Sequence, residues 1–198
     1  MRTLEFIGYN RTALGKKDAH KLRKEGNVPC VIYGGDENVH FYAPAILFRD
    51  LVYTPDAAFV NIDVEGKEYK CILQDVTFHP VSEIIMHADF LLLKEGHPVR
   101  MEIPVEFVGK APGLQQGGKL IAKIRKIRVK AVPASMPSTI KVDISGLDLG
   151  KSIKVGALEQ KDYEILYNPL VTIASVGIPR ALRSTLTKGE EEEAGEEA

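Results

Sequence analysis

Residues 58–76 constrain the fold more than any other stretch. From Ala58 to Val64 the chain alternates, with Val60, Ile62 and Val64 on one side and Phe59, Asn61 and Asp63 on the other. Neighbouring side chains of a strand point to opposite faces, so this alternation predicts an extended segment with one apolar face. Glu65-Gly66-Lys67 turns the chain and Tyr69 to Val76 returns. The same theme surrounds this unit. Leu4–Tyr9, Val28–Tyr33, Val39–Tyr42 and Ile84–Leu93 read as strands, with Gly34-Gly35-Asp36-Glu37-Asn38 as a turn and His79-Pro80 as a break. Two short helices interrupt them. One begins near Lys16 and stops at Gly26, a C′ glycine with Pro29 soon after. The other covers Pro44–Val52, with proline at its start and apolar residues at 46, 47, 48, 51 and 52. Roughly six strands and two helices in the first 92 residues favour a small antiparallel barrel or sandwich.

Lys94-Glu95-Gly96-His97-Pro98 is the best boundary, being polar with glycine and proline together. Beyond it helical signals almost vanish. Val99–Val108, Thr139–Ile144, Ser152–Val155 and Leu170–Val176 read as strands. Leu120–Val132 also alternates, but its polar positions switch from odd (Lys123, Arg125) to even (Lys126, Arg128, Lys130), which predicts a bulge near Arg125-Lys126. The expected organisation is a barrel over 1–94, an all-β domain over 95–180 and an acidic, disordered tail over 181–198.

Charge distribution narrows the partners. Net charge is −1, but 10 Lys/Arg stand against 13 Asp/Glu in residues 1–92, and 16 against 8 in 93–188. The last ten residues add −6. An anionic partner must therefore meet local patches, because the whole molecule does not attract it. No apolar run is long enough to span a membrane. MRTLEFIGYN carries no signal-peptide hydrophobic region, so a cytoplasmic location is the default expectation. Cys30 and Cys71 each lie in an apolar, strand-like run and read as reduced core thiols.

The sequence holds no P-loop, no G-x-S-x-G, no G-x-G-x-x-G after a strand and no H-E-x-x-H. Two features stand out instead. Arg11, Lys16, Lys17, Lys21, Arg23 and Lys24 crowd into 14 residues just ahead of the strand ending at Tyr33. This stretch reads either as a solvated, well-capped surface helix or as a phosphate-binding element. The second feature is His87 and Asp89, which share one face of a strand about 6.5–7 Å apart. With His79 they offer the alternative of a metal-binding protein or small hydrolase, although further ligands and a nucleophile are not evident. They equally suit ordinary surface polarity, or hydrogen bonding to base edges and 2′-hydroxyls. Tyr33 would add a stacking face and a phenol.

Longer segments carry a resemblance. GKKDAHKLRKEGNVPCVIYG (15–34), LQDVTFHPVSEIIMHADF (73–90), VEFVGKAPGLQQGGKL (105–120) and VDISGLDLGKSIKV (142–155) keep their order and spacing. The chain resembles the 5S rRNA-binding family of the bacterial large ribosomal subunit, in its long two-domain form (the general stress protein CTC type). The resemblance implies a mainly β chain: an N-terminal six-stranded antiparallel barrel with short helices, plus a C-terminal all-β domain. It implies a non-enzymatic ribosomal protein, without cofactor, metal, membrane or small-molecule substrate. Its partners would be 5S rRNA and other large-subunit components. The positions matching the family's RNA-contacting pattern are Arg11, Arg23, Tyr33, His87 and Asp89. Lys16, Lys17 and Lys21 match as neighbouring backbone contacts.

Overall fold

Alternation in the first ninety residues resolves into six strands that close on themselves. A computed structural model describes residues 1–158 and 162–179; the acidic run over 181–198 lies outside the described residues. The strands are β1 (Arg2–Asn10), β2 (Asn27–Tyr33), β3 (Val39–Pro44), β4 (Ala58–Val64), β5 (Lys67–Phe78) and β6 (Ile85–Leu92). They form a closed barrel in the order β1-β3-β2-β6-β5-β4. The β4–β5 hairpin is the one the sequence marks most clearly. Glu65 and Gly66 both take positive φ, 52° and 88°, and Val64 pairs with Lys67. This is a two-residue turn whose backbone twist suits the flanking strands.

Strand direction departs from the antiparallel expectation at two seams. β1–β3, β2–β3, β4–β5 and β5–β6 are antiparallel, but β1–β4 and β2–β6 are parallel. The cause is connectivity. The antiparallel pairs include the chain's short hairpins, whereas each parallel seam joins strands that are distant in sequence. The barrel interior is packed with apolar residues. Phe6, Phe41 and Phe48 surround Phe90 with ring centroids 6.2, 5.8 and 6.3 Å away. Phe48 is delivered by a 3-10 turn, Ala45–Phe48, that runs on into a single α-turn, Arg49–Val52. Gly8 makes room for this packing: a Cβ there would stand 2.6 Å from the Phe41 ring. Cys30 and Cys71 are buried, free thiols in the same core.

The basic stretch folds as α1 (Lys16–Lys24), which packs against β2 and buries only Leu22. Gly26 ends it with φ +80°, and its carbonyl accepts from Ala45 N–H at 3.0 Å.

By contacts, the described residues divide into two units: 1–104 with 129–139 and 162–164, and 105–158 without 129–139, together with 165–179. After the barrel come β7 (Val99–Val108), β8 (Lys119–Ala122), β9 (Lys126–Ala131), β10 (Ile140–Asp143), β11 (Ser152–Lys154), β12 (Glu164–Ile165) and β13 (Thr172–Gly177). One sheet runs β10-β7-β9-β12 and the other β11-β13-β8. Ala111, Ile144, Leu147 and Val176 form a buried cluster in the second unit. The bulge expected near Arg125-Lys126 is instead a change of sheet. Lys123 and Ile124 N–H both donate to the Ile173 carbonyl, at 2.9 and 3.1 Å, while the Arg125 carbonyl accepts from Val105 N–H at 2.9 Å. The chain thus leaves the partner of β8 and joins that of β9 within three residues, and the parity of its buried positions flips at that step. Among the described residues, no helix is long and apolar enough to cross a membrane.

Candidate nucleic-acid interface

Barrel closure decides which side chains share the outer wall. Cys30, Ile32, Ala88 and Phe90 are buried in the core, so the residues between them face outward. Parallel pairing sets Val31 beside Asp89 and Tyr33 beside Leu91. Antiparallel pairing sets Thr77 opposite His87 and Asp75 opposite Asp89. Tyr33 on β2, and His87 and Asp89 on β6 more than fifty residues later, therefore lie on one face of two adjacent strands.

The polar chemistry of this face is specific. His87 Nδ1 approaches Asp89 Oδ1 to 2.7 Å, with 37% of each side chain exposed. That oxygen is buried against the imidazole, so what Asp89 leaves open to a partner is the rest of its side chain. Asp75 joins the group, a residue that reasoning from sequence missed. Its negative charge sits directly across from that of Asp89, and its Oδ1 accepts from Val76 N–H at 2.8 Å. Burial raises the Tyr33 phenol above its ordinary pKa, and the nearby Asp89 and Asp75 carboxylates raise it further. The neutral phenol is a hydrogen-bond donor, and these surroundings keep it protonated to higher pH. The signal for Asp75, an acid two residues beyond the apolar Cys71-Ile72-Leu73, was present. Its orientation was not, because the β5–β6 register shifts between Leu73 and Asp75.

α1 supplies the cations. Lys16, Lys17 and Lys21 are exposed, as are His20 and Lys24. Lys21 makes only a 3.9 Å contact to Glu25, in a geometry worth little in water. Arg23 is half-buried, and its Nε donates to the Met86 carbonyl at 2.9 Å. This bond ties the C-terminal turn of the helix to β6 one residue before His87. Arg11 behaves differently. Its Nη2 donates to Asp18 Oδ2 at 3.2 Å and to the Ala13 carbonyl at 3.3 Å, and only 9% of its side chain is exposed. Its backbone N–H donates to the His40 carbonyl at 3.0 Å. Arg11 therefore fastens the first turn of α1 to the barrel instead of presenting a free cation. Burial, with Asp89 adding to it, pushes the Cys30 thiol up, and Arg11 acts the other way; both charges lie within electrostatic reach of Cys30.

His79 is not part of this face. Its Nδ1 accepts from the Val81 and Ser82 N–H groups at 3.4 and 3.2 Å, capping the turn between β5 and β6. Among the described residues, no three His, Cys, Asp or Glu side chains are placed to hold a metal ion.

Known proteins supply the family. Residues 8–90 match the model of the Ribosomal L25p family, and residues 98–180 match that of ribosomal protein TL5, C-terminal domain. A protein of Cytophaga hutchinsonii named large ribosomal subunit protein bL25 is 48% identical over 183 residues, 92% of this chain and 95% of its own length. The chain belongs to the Ribosomal L25p family. Two more proteins of the same name support this L25p membership. One from Amoebophilus asiaticus is 48% identical over 190 residues, covering 96% of this chain and 97% of its own length. One from Phocaeicola vulgatus is 41% identical over 190 residues, covering 92% and 96%. Arg11, Lys16, Lys17, Lys21, Arg23, Tyr33, His87 and Asp89 all fall inside the L25p match.

Proposed function

We propose that this chain is a non-catalytic, structural component of the large ribosomal subunit, and that its N-terminal domain, residues 1–94, binds 5S rRNA. The observation that carries the proposal is the junction of α1 with β6. The Arg23–Met86 bond joins the helix that carries the exposed lysines to the strand that carries His87 and Asp89, which supports a composite site. Membership of a ribosomal protein family supports the particle and the absence of an enzymatic role. Lys16, Lys17, Lys21 and Arg23 meet phosphates, and Arg11 holds the helix that carries them. Asp89 accepts from an exocyclic amino group or a ribose hydroxyl, His87 is steered by Asp89, and Tyr33 donates or stacks. The C-terminal β domain, residues 95–180, meets other large-subunit components.

Carboxylates in the middle of the face make the site selective, since they repel phosphates that lack a matching donor. Four phosphate contacts give a slope of log Kd against log salt of about 3.6, at roughly 0.9 per contact. The test is a salt titration of the full chain with 5S rRNA and with an unrelated RNA of equal length. The expected result is that slope together with tighter binding of 5S rRNA. Equal affinity for both RNAs defeats the specific claim, and a slope near zero defeats the electrostatic one.

A further inference from the structure

The turn between β5 and β6 presents an apolar tip that the RNA-facing wall does not use. Phe78, Val81 and Ile84 are 41%, 87% and 56% exposed within seven residues. Large side chains that remain in water on a flexible loop need no explanation, but this loop is held in one shape. His79 N–H donates to the Ile84 carbonyl at 2.8 Å, and Glu83 N–H donates to the His79 carbonyl at 2.9 Å. The His79 ring takes up the Val81 and Ser82 amides and lies 3.0 Å from the Ser82 hydroxyl. Glu83 adopts φ +56°. The hairpin thus spends its polar groups on its own backbone and turns its apolar side chains out. A fixed apolar tip loses little conformational entropy when it docks.

Charge selects the occupant. Between Lys70 and Lys94 there is no lysine or arginine, and Glu83 is the only formally charged residue from Phe78 to Ile84. The tip's own residues offer a polyanion no cation, and phosphate binding depends on cations. Apolar side chains with one carboxylate suit a protein surface bearing an apolar pocket and a basic rim. Phe78 pairs with Ile85 and Thr77 with His87, so the tip continues directly from the wall described above. We infer that the β5–β6 tip docks on a protein of the large ribosomal subunit, with Val81 and Ile84 entering its pocket. From the proposed function this takes only the location on that subunit; it does not need the 5S rRNA contacts.

The test uses the full chain and large subunits purified from cells lacking it. A benzophenone side chain is introduced at position 81, the chain is bound to those subunits, and irradiation is followed by identification of the adduct. An adduct with a protein is expected; an adduct with RNA alone, or none, overturns the inference. In parallel, the Val81→Ser/Ile84→Ser variant is compared with the parent. Its affinity for isolated 5S rRNA should be unchanged, while its retention on the depleted subunits should fall about tenfold or more, the effect of losing roughly 1.4 kcal/mol. Retention equal to the parent's overturns the inference. Failure of the parent chain to bind 5S rRNA would sink the RNA reading and leave the cross-link to decide this one.

Discussion

Arg23 separates scaffold from contact, because one side chain serves both. Its Nε holds the Met86 carbonyl at 2.9 Å, and the outer edge of the guanidinium is the part available to a phosphate. Arg23→Ala removes both functions. Loss of the bond frees a carbonyl at a half-buried position that water can reach, so the folding cost falls at the low end for bonds to charged groups, about 1.5 kcal/mol. Loss of the phosphate contact costs about 1–3 kcal/mol of binding, which is roughly 5- to 150-fold in Kd. It also removes about 0.9 from the salt slope. Arg23→Lys keeps the charge but has no Nε–H in that place and no fork, so it should keep the slope while losing part of the stability and part of the affinity. Urea melts measure the first quantity. Titrations with 5S rRNA at several salt concentrations, under conditions where each variant is folded, measure the others. If Arg23→Ala lowers the urea midpoint while Kd and slope stay at the parent's values, Arg23 is a fastening only. If neither quantity moves, the junction between α1 and β6 is not what positions the site.

Two further perturbations test the wall and the core. Asp75→Asn removes one of two like charges paired across β5 and β6, so it should stabilise the fold by about 0.2–1 kcal/mol and lower the pH at which Tyr33 ionises. Tyrosinate absorbance, with Tyr33→Phe as the control, reads the second effect, and an unmoved titration refutes the proximity of the two groups. Burial pushes the Cys71 thiol from 9.0 up to about 12, so between those values the unfolded chain has lost a proton that the folded chain keeps. This contribution is complete below about pH 9 and is lost as pH rises toward 12, at up to about 1.4 kcal/mol per pH unit. Urea melts between pH 8 and 10 should show the parent losing more stability than Cys71→Ala; parallel losses refute the argument.

Local patterns were legible in this sequence and pairings were not. Ala58–Val64 declared its buried face because a strand repeats every two residues, and Glu65-Gly66 declared a turn because glycine accepts positive φ. The parallel seams were invisible, since nothing near β2 says that residue 31 will lie beside residue 89. The parity flip in Leu120–Val132 was visible, but its cause was Ile173, which takes two amides from one stretch of chain. The site divides the same way. Lysines on α1 announce themselves by composition. Arg11 looked equivalent to them until its pairing with Asp18 showed that its charge is occupied. Asp75 stayed hidden because a register shift, which depends on the partner strand, decides where it points.

On the proposed function, the arrangement lets a domain with more acids than bases be selective for an anionic partner. α1 is fixed near both ends, by Arg11–Asp18 in its first turn and Arg23–Met86 in its last. Its lysines are therefore held in a set direction relative to the strands, and little order remains to be gained on binding. The strands beside it carry Asp75 and Asp89, whose mutual repulsion weakens the barrel and whose charge opposes any phosphate that comes close. A partner that brings only phosphates meets attraction at the helix and repulsion at the wall. One that brings a hydrogen-bond donor to the exposed part of the Asp89 side chain relieves the second term and keeps the first. Discrimination then follows from the difference between those two cases, which is a property of the wall, while the strength common to both comes from the helix.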